Sequence, residues 1–155
     1  VQGAEQESGR DMSTRMTEAP EKFIEDFFAS FTEQLMADGA DPGQVVDRYY
    51  TPDIVQLVDG VRVDRERLIA HVRPVRRNLA GWRFEVHEAL LDEHRLAARM
   101  TIHGRMRTGR STVTEVHLFG ELAPDGRIRR THQLTRPLPA EAPAEAPAEG
   151  EEEQI

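Results

Sequence analysis

Tyr50-Thr51-Pro52-Asp53-Ile54-Val55-Gln56-Leu57-Val58-Asp59-Gly60-Val61-Arg62-Val63 decides the fold of this chain. Pro52 stops a preceding helix, because proline lacks the N–H that a helical ladder needs and biases its predecessor toward extended backbone. Two β-prone runs, Ile54–Val58 and Val61–Val63, flank Asp59-Gly60, a pair suited to the positive φ angles of a two-residue hairpin. The stretch reads as a junction from helix to hairpin, and the rest of the chain is placed around it.

Upstream, Phe23, Ile24, Phe27, Phe28, Phe31, Leu35 and Met36 recur at helical spacing and make one apolar stripe. Gly39 ends that helix. Asp41-Pro42-Gly43-Gln44 then offers an N-cap, a first-turn proline and a capping-box glutamine for a short helix through Val45, Val46 and Tyr49. Downstream, Asp64 caps a third helix with Leu68, Ile69, Val72, Val75 and Leu79 inward, and Pro74 predicts a kink. After Gly81 the period changes to two. Trp82, Phe84 and Val86 alternate with Arg83, Glu85 and His87, and the run from Leu96 to Arg107 alternates likewise. Thr112–Leu122 and Ile128–Thr135 are two more strands, the last opened by Asp125-Gly126. The expected fold class is α+β: about three N-terminal helices under a strongly curved antiparallel or mixed sheet, a cone with a cavity between.

Composition narrows the function classes. The formal net charge of -8 comes from the ends: residues 137–155 hold six Glu and no base, while residues 12–136 balance nineteen acids against nineteen bases. A neutral domain has no electrostatic footprint for nucleic acid, so nucleic-acid binding is not expected. The chain has no Cys, which excludes thiolate metal and disulfide chemistry. It has no apolar run long enough for a membrane span and no secretory pattern, so a cytoplasmic location is expected. Lys22 is the only lysine among twenty basic residues, a usage that points to a GC-rich bacterial gene. Residues 1–19 read as disordered, 20–137 as one cavity domain, and 138–155 as a disordered acidic Pro-Ala-Glu tail.

Over residues 21–136 the chain resembles the nuclear transport factor 2-like superfamily, in its SnoaL-like branch. The resemblance is carried by Tyr50-Thr51-Pro52-Asp53, by the run from Gly60 to Leu68 into the third helix, and by Gly126-Arg127-Ile128 before the last strand. It implies a cone-shaped pocket, often a homodimer, and cofactor-free chemistry such as isomerisation, cyclisation or dehydration. Members acting on steroids by proton transfer place one carboxylate on the first hairpin strand and another acid on a central strand. Those places fall near Val58 and Val116 here, and Gln133 stands where many SnoaL-like chains carry an Asp. The usual acid–base pair is therefore missing.

Other residues offer chemistry. Glu115 and His117, two apart on one strand, share a face. They make either a carboxylate-oriented general base or a polar pair on the outer sheet face, and Val116 and Leu118 fit the helix-facing side better. His71, at the edge of the third helix's inner stripe, and His132, in parity with Ile128 and Leu134, are inward candidates for a base. Tyr50 and Gln133 are candidate oxyanion partners. No His spacing suits a metal, and no phosphate loop or dinucleotide fingerprint is present, so no cofactor is expected. Two readings follow. In one, a pocket walled by Phe27, Phe31, Trp82, Met100, Ile102 and Leu118 binds a hydrophobic, cyclic or polyketide-like small molecule, with or without turnover. In the other, the cavity is filled by its own side chains and the domain is a non-catalytic homodimeric interaction module. That module docks through the outer face of Glu85, His87, Arg99, His103, Glu115 and His117.

Overall fold

A computed structural model of the chain describes residues 19–140. The readings for 1–19 and 138–155 thus lie almost wholly outside the described residues. Three helices, α1 (Pro20–Met36), α2 (Pro42–Tyr49) and α3 (Arg65–Asn78), are interleaved with or followed by six strands. These are β1 (Tyr50–Val58), β2 (Val61–Asp64), β3 (Leu79–Asp92), β4 (Arg95–Met106), β5 (Ser111–Leu122) and β6 (Ile128–Leu138). They form one mixed sheet in the order β2-β1-β6-β5-β4-β3, antiparallel except where β1 runs parallel to β6. The α+β class is as expected.

The junction behaves as its residues dictate. Asp59 and Gly60 take φ of 52° and 82°, the two left-handed positions of a tight hairpin. Asp59 also reaches across to β6. Its carboxylate accepts from the Thr135 backbone N–H at 2.8 Å and from the Thr135 hydroxyl, while its own N–H donates to the Gln133 carbonyl at 3.0 Å. Asp64 caps α3 by accepting from the Arg67 N–H at 2.9 Å, and the helix continues through Pro74 to Asn78. Asp41 stands at the N-cap of α2, but its side chain makes no capping bond. It lies instead in the field of Arg65, whose guanidinium forks onto Asp47 of α2 at 2.8 and 3.0 Å. That pair joins α2 to α3, and Arg127, from the turn before β6, donates to the Asp47 carbonyl at 3.1 Å.

Registry sorts the sheet into two faces. Val86, Met100, Val116 and Thr135 stand in one row, and Ala98, Leu118 and Gln133 in the next, all on the helix side. Met100 and Leu118 are 1% and 2% exposed, packed with Ile24, Leu35 and Ile54 into the core. Register shifts interrupt the alternation at Ala80 and His87 in β3, between Tyr50 and Val55 in β1, and at Arg129 in β6, where Leu122 pairs with Ile128 but Glu121 pairs with Arg130. The shift in β6 overturns a parity reading. Ile128 and Thr131 are both buried, so His132 and Leu134, expected inward with Ile128, lie on the outer face and are exposed.

Candidate functional site

The space between helices and sheet is occupied by aromatic rings. Phe31 meets Tyr50 edge to face at 5.4 Å between centroids and Tyr49 at 5.3 Å, Phe27 meets Tyr49 at 5.2 Å, and Phe28 lies 6.0 Å from Phe84. Tyr49 is held by hydroxyl contacts to Ser30 at 2.5 Å and Gln34 at 2.7 Å. Of the expected wall residues, Phe27, Phe31, Met100, Ile102 and Leu118 belong to this packed cluster. Trp82 does not. It sits two residues before Phe84, near the start of β3, and lines an open cleft with Arg83, His103 and Arg105.

Polar groups on the helix side are neutral. Tyr50 is buried, and burial pushes its phenol well above the ordinary range, with a hydrogen bond from Gln56 pulling the other way. Gln56 is buried beside Thr131 in register, and Gln133 donates to the Thr131 hydroxyl at 3.0 Å. Tyr50 and Gln133 are thus the two candidate residues placed on the inner side. The inward rows of the sheet carry no carboxylate or imidazole among the described residues. His71 falls on the solvent side of α3, because Leu68 and Val72 turn its inner stripe away from it.

The imidazoles gather on the outer face. Glu115 accepts from His117 at 3.1 Å and from Arg136 at 3.1 Å, so this pair is brought together on the side away from the core. In the same cross-strand row, Glu85 meets His103 at 3.3 Å and Arg83 at 3.2 Å, and His87 lies 2.6 Å from the Thr101 hydroxyl. Arg136, then His117, hold the Glu115 carboxyl below the usual carboxylate range, and His103 does the same for Glu85. Such satisfied carboxylates are weak bases. No group of three or more His, Asp or Glu among the described residues is arranged to hold a metal ion.

Beside this polar network runs an apolar band that pattern reading did not pick out. Leu90, Phe119 and Leu134 are 74%, 68% and 62% exposed. Leu90, Ala97 and Phe119 stand directly across from one another on β3, β4 and β5, and these three line a groove of about 320 Å³. Leu90 shares sequence parity with Val86 yet faces outward, because the His87 bulge reverses the alternation after Val86. Phe119 was legible in the parity it shares with Glu115 and His117.

Residues 24–131 match the SnoaL-like domain family, and the chain belongs to it. The chain is also 28% identical over 120 residues to an uncharacterized protein of Schizosaccharomyces pombe, covering 77% of this chain and 88% of that one. Among solved structures, an NTF2-like protein of unknown function from Exiguobacterium sp. 255-15 aligns with a TM-score of 0.57 at 14% identity, covering 76% of this chain and 98% of that one. IdmH of Streptomyces antibioticus, a candidate polyketide cyclase, aligns at 0.54 and 16% identity, covering 71% and 89%. A Catenulispora acidiphila protein with a ketosteroid isomerase-like fold, in complex with trimethylamine, aligns at 0.51 and 7% identity, covering 70% and 83%. At such identities the likeness establishes the fold. No described helix is long and apolar enough to cross a membrane.

Proposed function

We propose that this SnoaL-like domain is a non-catalytic interaction module that pairs with a second copy of itself through the outer face of β3–β6. The observation that carries this reading is the exposed band of Leu90, Phe119 and Leu134, lying on one face beside paired charges. Contiguous exposed apolar surface on a folded domain marks a contact surface more often than an accident. Charge selects the occupant. Arg83, Arg99 and Arg136 are matched by Glu85, Glu88 and Glu115, each already in an ion pair, so the face does not repel its own copy. A two-fold contact needs such self-complementarity. Light scattering after size exclusion tests it: the wild type runs as a dimer, and Leu90→Glu gives a folded monomer. A wild type that stays monomeric at high concentration overturns the reading.

One feature of the interior supports a second reading. Tyr50, Gln56, Thr131 and Gln133 form a neutral hydroxyl–amide set beside apolar walls, which suits a hydrophobic cyclic or polyketide-like ligand of modest polarity. Binding there requires the Phe27 and Phe31 rings to move. Proton-transfer catalysis would also need a base on the inner side, and His71 and His132 face solvent. Turnover abolished by His71→Ala or His132→Ala would restore the enzyme reading. The expected outcome is that neither change affects ligand binding.

A further inference from the structure

Next to the apolar band, where His132 stands across from Phe119, the outer face holds a cleft of about 450 Å³ across β2, β1 and β6. Val55 and Leu57 line it with apolar surface, and Arg62, Arg129, Arg130 and His132 stand around them. Registry accounts for this grouping. Arg62 pairs with Leu57, Leu57 with His132, and Val55 with Arg130, so all five side chains project from one face. The β6 bulge adds Arg129, which borders the cleft together with Arg130 instead of taking the opposite side.

The balance of charge is positive. Asp53 also lines the cleft, and Glu121 lies 3.7 Å from Arg129. Asp64, across from Val55, is turned to cap α3. Arg62 and Arg130 make no ion pair with any described residue. Two exposed guanidinium groups thus stand free over an apolar floor, and a guanidinium fork matches a carboxylate in two parallel hydrogen bonds. A cleft of this size is in the usual range for a small ligand. The nearby acids disfavour a dianion such as a phosphate ester relative to a monoanion.

We propose that this cleft binds a small amphipathic carboxylate, its head between Arg62 and Arg130 and its apolar body on Val55 and Leu57. The site is separate from the packed interior. Nuclear magnetic resonance titration of the isotope-labelled full chain tests it with three probes: octanoate, octan-1-ol and inorganic phosphate. Octanoate is expected to shift the amides of Val55, Leu57, Arg130 and His132 in a saturable manner. Octanol, lacking the charge, and phosphate, lacking the body, are each expected to bind at least about tenfold more weakly. Arg62→Gln and Arg130→Gln should each weaken octanoate by roughly tenfold or more, since each deletes a charge-assisted bond. Both residues are exposed, so the variants keep the fold, and Arg77→Gln on α3 serves as a control without effect. The proposal is overturned if octanoate does not saturate, if octanol binds as tightly, if the shifts map to the helix side, or if neither Arg variant changes affinity.

Discussion

Asp59 illustrates how much one residue can do. It takes a left-handed backbone angle, which Asn and Asp tolerate better than other non-glycine residues, and its carboxylate fastens the hairpin to Thr135 of β6. Those two bonds, the Thr135 hydroxyl first, hold its carboxyl below the ordinary value of 3.8. A carboxylate with a depressed folded-state pKa stabilises the fold above its unfolded-state value, and that contribution fades as pH falls through the folded-state value. Asp59→Asn keeps the turn but loses the charge. Its Tm is expected to lie below the wild type at pH 7 and to converge with it under acid conditions. Asp59→Ala, which also strains the turn, should melt lower than Asp59→Asn at every pH; thermal scans from pH 7 to pH 2.5 check both. The hairpin itself was readable from Asp59-Gly60 because its turn chemistry is local. The tie to Thr135 was not, since the parallel pairing of β1 with β6 brings together residues distant in sequence.

Among the elements, β6 shows where legibility stops. Its existence and start follow from Asp125-Gly126 and the apolar alternation, as do those of β3, β4 and β5. Its faces do not follow, because the extra residue at Arg129 reverses parity and nothing in the residue types from Arg129 to His132 marks a bulge. That single insertion puts His132, a candidate base, on the surface, and turns Thr131 inward beside Gln133, the candidate oxyanion partner. Deletion of Arg129 should nevertheless leave the faces as they are. It joins Ile128 to Arg130 in strict alternation, with Thr131 and Gln133 still inward and His132 and Leu134 outward in unchanged pairing. We expect the deletion variant to keep cooperative unfolding by circular dichroism. Arg129→Ala, which keeps the residue count and removes a half-exposed ion pair with Glu121, should cost less than about 1 kcal/mol. A deletion variant that loses cooperative unfolding would mean that the bulge itself, and not the pairing on either side of it, holds β6 in place.

For the whole molecule, the two sides of the sheet divide stability from contact. The helix side is filled by rings, and truncating one of them leaves a hole: Phe31→Ala should cost about 3–5 kcal/mol in chemical denaturation, with no change in outer-face contacts. Phe119 is the converse case, 68% exposed and remote from the core, so Phe119→Ala should leave the monomer's stability within about 0.5 kcal/mol of wild type. In a two-fold assembly its loss is counted twice. Covering a Phe side chain contributes about 1.5–3 kcal/mol, so two copies give roughly 3–6 kcal/mol and weaken the dimer by at least about a hundredfold. Sedimentation velocity over a dilution series reads this directly. A Phe119→Ala dimer as tight as wild type would place the contact elsewhere on the molecule, and the band of Leu90, Phe119 and Leu134 would then need a different occupant.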